Sequence, residues 1–187
     1  MGSHLNLIGS FIIGGLLFLM IGRFYSSMSQ NSHERTLDSI TIQTASGISD
    51  LIEFDFNRMG LGAASPTTAL FMADSNRIGF LSDIDHNGVV DTVRYILSDV
   101  NAASNTENPR DRILYRLVSN EPQINATLGV TEFKIRYFDS LGYETTDITQ
   151  MKNFDISLMV ESTTPYDNRY SQFYWQTRIS PPNLLRF

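Results

Sequence analysis

A chain of 187 residues has room for one well-buried domain plus an appended element, and is short for two domains. Its hydrophobic share of 42%, with 12 Phe and 8 Tyr, supplies a core and excludes a disordered chain. Fourteen Lys and Arg against twenty Asp and Glu leave a net charge of -6; the cations form no run, which argues against nucleic acid as a partner, and the lack of cysteine removes disulfide scaffolds, thiolate zinc sites and thiol catalysis while leaving the compartment open.

The first element is the uncharged run LIGSFIIGGLLFLMI, Leu7 to Ile21. With Leu5, Phe24 and Tyr25 it reaches about 20 residues, roughly 30 Å as a helix and one bilayer core. Three readings compete for it. A cleaved signal is disfavoured, because MGSHLN carries no Lys or Arg and no small-x-small site follows near Ile21–Tyr25. A plain transmembrane anchor fits, and so does a stem that sits in a membrane first and later packs against copies of itself.

From Ser26 to Met59 there is no proline and one glycine, Gly47. Apolar residues recur at Leu37, Ile40, Ala45, Ile48, Leu51, Ile52, Phe56 and Met59, one stripe of an amphipathic helix. Ser49, Asp50, Glu53, Asn57 and Arg58 fall on the opposite face. The spacing predicts one helix of about 50 residues, stopped by Gly60 and Gly62 and left behind at Pro66. A naked hydrophobic half continuous with an amphipathic half favours the stem; an anchor with a helical spacer has the same pattern. The expected organisation is a stem over 1–25, an amphipathic half over 26–62 and an antiparallel sheet over 63–187.

Beyond Ser65 the period becomes two, as strands with one buried face require. Phe154, Ile156, Leu158 and Val160 form one inward set, and Phe173, Trp175, Thr177 and Ile179 another. Ile113, Tyr115 and Leu117, then Phe133, Ile135 and Tyr137, repeat the pattern. Turns are expected at His86-Asn87-Gly88, Asn120–Pro122, Asp139–Gly142 and Thr164-Pro165, and a mobile loop at Asn101–Asn108. The fold class is α+β, a long helix with an antiparallel sheet laid over its second half.

Two features carry possible chemistry. Asp83, Asp85, Asn87, Gly88 and Asp91 occupy the spacing of a D-x-D-x-N-G-x-x-D calcium loop, with Arg94 where the twelfth-position Glu belongs. The same residues suit a two-residue Asn-Gly hairpin, which pairs Ile78 with Leu97, Phe80 with Tyr95 and Ser82 with Val93 and splits Asp91 from the other carboxylates. Calcium at Asp83, Asp85, Asn87 and Asp91 is thus an expectation in competition with a tight turn. In the stem, Gly9, Gly14 and Gly15 suit close helix approach, Leu16 and Leu17 lie at its centre, and Arg23 is the first charge after the apolar run. No phosphate loop, nucleophile elbow or zinc helix motif occurs, so no catalytic residue, required cofactor or enzyme activity is expected.

The order of these elements is similar to type IV pilins and type II secretion pseudopilins. The helix end Ile48–Gly62, with Asp55, Arg58 and Gly60 in that order, and the ending Ile179-Ser180-Pro181-Pro182-Asn183-Leu184, resemble the larger minor subunits, the W-type minor pilins and J-type minor pseudopilins. The resemblance implies a structural filament subunit held in the cytoplasmic membrane by one span, its sheet domain outside, with other pilin-like subunits as partners through the stem and a periplasmic or extracellular filament as the product. A membrane-tethered binding or adhesion module is the alternative. The family's Glu at the fifth mature position has no counterpart, since the first acidic residue is Glu34.

Overall fold

The computed structural model describes residues 2–119 and 125–185, with side chains from Ile8 onward. The expected turn at Asn120–Pro122 lies outside the described residues. A single α-helix, α1 (Gly2–Asn57), is followed by seven strands: β1 (Leu70–Asp74), β2 (Arg77–Ser82), β3 (Asp91–Leu97), β4 (Arg112–Val118), β5 (Asn125–Phe138), β6 (Asn153–Glu161) and β7 (Gln172–Ile179). The chain divides by contacts into two compact units, Met1–Leu37 and Asp38–Phe187.

In the second unit the strands follow one another in space in chain order, every neighbour antiparallel. The sheet is curled. Ile135 N on β5 reaches Ser75 O in the β1–β2 turn at 2.8 Å, and Tyr137 Oη reaches Asp74 O at 2.6 Å. Gly129 permits part of the bend: its φ is +88°, and a Cβ there would stand 2.9 Å from Glu161 O, a position only glycine fills without strain.

Within the second unit the later residues of α1 lie against the concave face through Ala45, Ile48, Ile52 and Phe56, joined by Met59 just past the helix end, all buried, at the three- and four-residue steps that place side chains on one stripe. Phe56 is the centre of the packing, with ring centroids 5.6 Å from Phe80, 5.9 Å from Tyr95 and 6.1 Å from Phe154. Ile40 departs from the expected stripe at 55% exposed, and Ser49, expected outside, is buried. Ser49 avoids the cost of burial by bonding its hydroxyl to Ser46 O at 2.9 Å.

The regular helix stops at Asn57, and Gly60, with φ +81°, turns the chain out. A Cβ on Gly60 would meet Leu184 Cδ2 at 3.1 Å, because the C-terminal segment docks here. Leu184 is buried, its carbonyl accepts Lys152 Nζ at 2.7 Å, and Asn183 Nδ2 reaches Met59 O at 3.4 Å.

Strands β5, β6 and β7 place Phe133, Ile135 and Tyr137, then Phe154, Ile156, Leu158 and Val160, then Phe173, Trp175 and Ile179 against the core as their alternation predicts. Strand β4 is inverted. Leu114, Arg116 and Val118 point inward, whereas Ile113, Tyr115 and Leu117 are only half-buried. The segment Asn101–Asn108 overlaps a short 3-10 turn, Val100–Ala103, and buries Ala103 and Asn108. Asn108 Nδ2 binds Glu161 Oε2 at 2.9 Å, so that end of the segment is held to β6.

Candidate functional site

In the first unit the candidate site is the apolar segment itself. Thirteen large hydrophobic side chains between Ile8 and Met28 are exposed, Phe18 at 77% among them. They point to all sides of the helix, so no single face accounts for them. Exposing each to water forgoes about 1.5–3 kcal/mol, roughly 20–40 kcal/mol together, more than the 5–15 kcal/mol by which a domain is typically stable. The segment is apolar and long enough to cross a bilayer, where backbone groups must bond within the helix, as they do here.

Within it Gly9, Gly14 and Gly15 have open space around any Cβ placed on them. Among the described residues nothing therefore demands glycine at these positions. Leu16 and Leu17 are exposed, and Arg23 is the first charge after the run.

The second unit contains a buried polar cluster at which α1 meets the sheet. Asp55, on the inner stripe of α1, is 0% exposed. Arg116 of β4 grips it side-on, Nε to Oδ2 at 2.6 Å and Nη2 to Oδ1 at 3.2 Å. Tyr95 of β3 donates its hydroxyl to the same Oδ2 at 2.6 Å. Burial first, and the Asp55 charge second, push the Tyr95 phenol well above its usual range, so it stays a donor.

This cluster explains the inverted β4: Arg116 turns inward because a buried carboxylate on the helix requires a partner, which carries Leu114 and Val118 inward with it and leaves Ile113, Tyr115 and Leu117 on the other face. A planar guanidinium meets both carboxylate oxygens at once, which a lysine ammonium does not do. The sequence signal that could have revealed it is the single acidic residue, Asp55, in the interior of an otherwise apolar stripe.

Beside the cluster a groove of about 240 Å³ runs between α1 and β4, lined by Gly47, Ile48, Leu51, Leu114, Arg116 and Thr127 among others. It is smaller than the roughly 300–1,000 Å³ of sites that enclose a small molecule.

Of the calcium-like residues Asp83, Asp85 and Asn87 occupy an eight-residue loop, 83–90, between β2 and β3, and Asp91 opens β3. The expected two-residue turn is replaced and the register differs by two: Ile78 faces Tyr95, Phe80 faces Val93 and Ser82 faces Asp91. A shift of two keeps every side chain on its face, which is why the apolar alternation alone did not distinguish the registers. The wider loop is held by tertiary bonds, Asp83 N to Leu61 O at 2.8 Å and Arg58 Nη1 to Ile84 O at 3.0 Å.

Asp83 Oδ2 accepts Gly88 N–H at 3.1 Å, Asp85 Oδ1 accepts Asn87 N–H at 3.1 Å, and Asn87 Oδ1 accepts Val89 N–H at 2.7 Å. Asp91 is buried at the start of β3 and accepts Ser119 Oγ at 3.2 Å. Among the described residues no three His, Cys, Asp or Glu side chains gather closely enough to hold a metal. Asp83 Oδ2, Asp85 Oδ1, Asn87 Oδ1 and Ile84 O are engaged in bracing the loop, whereas Asp83 Oδ1 is buried without a partner.

A second buried carboxylate, Asp111, was not singled out by its sequence. It is 1% exposed. Burial raises its pKa; the Thr106 hydroxyl opposes the rise and the Glu161 carboxylate adds to it.

Comparison with protein-family models, with curated proteins and with solved structures yields no match for this chain.

Proposed function

We propose that this chain is a structural subunit of a bacterial filament of the type IV pilin or type II secretion pseudopilin kind, of the larger minor class. The observation that carries the proposal is the pairing in one chain of an all-round exposed apolar helix segment with a sheet unit built on the same helix's later residues. The apolar segment stores the subunit in the cytoplasmic membrane as a single span, with the sheet unit outside. Assembly exchanges stem–lipid contacts for stem–stem contacts with other pilin-like subunits.

Lipid is as apolar as the stem, so hydrophobicity does not drive that exchange; close packing does. Gly9, Gly14 and Gly15, with space around each, suit it. Arg23 marks the end of the apolar run, where a cation reaches polar headgroups or a neighbouring subunit.

The test is the Leu16→Asp/Leu17→Asp variant, followed by filament preparation and negative-stain microscopy with immunolabelling. Incorporation falls to background while the sheet unit keeps its circular dichroism spectrum. Normal incorporation of that variant overturns the stem. A membrane-tethered binding module is the second reading, which the apolar segment of α1 suits equally as an anchor. It predicts labelled protein in the membrane fraction and no filaments at all.

A further inference from the structure

The two edges of the sheet are not alike. Strand β1 is five residues long, is interrupted by a register shift between Leu70 and Met72, and ends in a turn whose carbonyls at Asp74 and Ser75 are taken by β5. Shortness and irregularity are how natural edges are kept from pairing. Strand β7 has neither feature. It runs for eight residues, pairs with β6 without a shift, and contains no proline or lysine.

The phase of its hydrogen bonds follows from the contact just before it. Ser162 N donates to Ser171 O at 2.9 Å, in the register that places Glu161 opposite Gln172 and Val160 opposite Phe173. Bonded pairs alternate along an antiparallel ladder. Phe173, Trp175, Thr177 and Ile179 therefore bond to β6, and Gln172, Tyr174, Gln176 and Arg178 direct their N–H and C=O groups away from the sheet. No described strand lies beyond β7, and no described loop bonds to these groups.

We propose that β7 is a docking edge for β7 of a second copy of this chain, the two strands antiparallel about a twofold axis through Trp175. In that register Gln172 faces Arg178 of the second copy and Tyr174 faces Gln176, each pair twice. Every outward N–H meets an outward C=O, so all four outward residues of each copy are used. A shift of two residues leaves one of the four unpaired. No like charges oppose, because Arg178 is the strand's only charge and is already paired with Asp155, Nη2 to Oδ2 at 2.7 Å. On the inner face the two Trp175 side chains adjoin, an aromatic pair of the kind that stabilises cross-strand contacts. An extended strand satisfies this row of alternating donors and acceptors, and this strand is its own complement. The inference is independent of the filament reading.

The experiment uses the full-length chain in detergent micelles. Sedimentation equilibrium reports a concentration-dependent dimer. Gln176→Pro removes an N–H that the fold does not use, at an edge position where proline is tolerated. It weakens the dimer by at least about tenfold in Kd and leaves the melting transition in place. Tyr174→Lys/Gln176→Lys sets lysine against lysine across the axis and has the same effect should the proline variant fail to fold. Because the chain has no cysteine, Tyr174→Cys and Gln176→Cys copies can be mixed and oxidised. The Cα atoms of a bonded pair stand about 5.5 Å apart, within disulfide reach, so the mixed disulfide exceeds either same-variant product. A monomer at every concentration, a dimer indifferent to both edge variants, or no excess of the mixed disulfide overturns the proposal.

Discussion

Residues 8–36 and 41–57 belong to the same helix, and with Arg58 and Met59 just past its end the two stretches meet their surroundings in opposite ways. In the first stretch no side chain is buried, although it holds most of the chain's consecutive apolar residues. In the second, apolar residues are fewer, but Ala45, Ile48, Ile52, Phe56 and Met59 are buried with Asp55 among them. Hydrophobicity by itself does not make a core. What makes one is a stripe with a matching surface, and only the later stretch has the sheet opposite it. The earlier stretch needs an apolar solvent or other helices, and its all-round exposure suits both.

The comparison breaks most visibly at the stem. A charge at the centre of a membrane helix costs about 2.5–3.5 kcal/mol on insertion scales, so Leu16→Asp/Leu17→Asp raises the cost of insertion by roughly 5–7 kcal/mol. Membrane fractionation should find the variant in the soluble or aggregated fraction, with β-sheet circular dichroism preserved. Retention in the membrane at the original level would show that the segment is not a span.

The next effect is in the anchored stretch. Removing one partner of a buried ion pair leaves the other charge uncompensated, at about 3–5 kcal/mol. Arg116→Met should lower stability in chemical denaturation by that order, and Asp55→Leu added to it should restore most of the loss. If Arg116→Met alone is neutral, the Asp55 cluster does not hold α1 to the sheet.

Tyr95→Phe removes one charged hydrogen bond and leaves the ion pair, and should cost about 1.5–3 kcal/mol by the same measurement. The smallest effect is at Asp111. Its folded pKa is raised by burial, so the stability linked to it is complete below the unfolded carboxylate pKa and is lost as pH rises through the folded value. Asp111→Asn should therefore melt above the parent at neutral pH, by less than the effects above. The difference should vanish in acid, where the parent carboxyl is neutral too. A constant difference across pH would mean that ionisation is not its cause.

Much of the fold was legible from periodicity. The stripe from Ala45 to Met59 and the alternation of β5, β6 and β7 each have one apolar side, and burial follows from that one-sidedness alone. The failures share a physical cause. The hairpin at 83–90 was expected to be a two-residue turn, because Asn-Gly is a strong local signal; the bonds from Leu61 and Arg58 to the loop come from residues distant in sequence. Strand β4 was expected to bury Ile113, Tyr115 and Leu117, because a charge reads as an outward residue unless its partner is known.

The amino-acid order thus determined, by itself, a helix of two characters followed by an antiparallel sheet, since periodicity is a property of neighbours along the chain. It also determined that the first of those characters suits a membrane, since a long uncharged apolar run has that property in any fold. Which way β4 faces, how far β2 is offset from β3, and which edge of the sheet stays open were decided by tertiary structure. Each depends on a group brought close from afar: Asp55 to Arg116, 61 residues apart, Arg58 to Ile84, and Ser75 to Ile135.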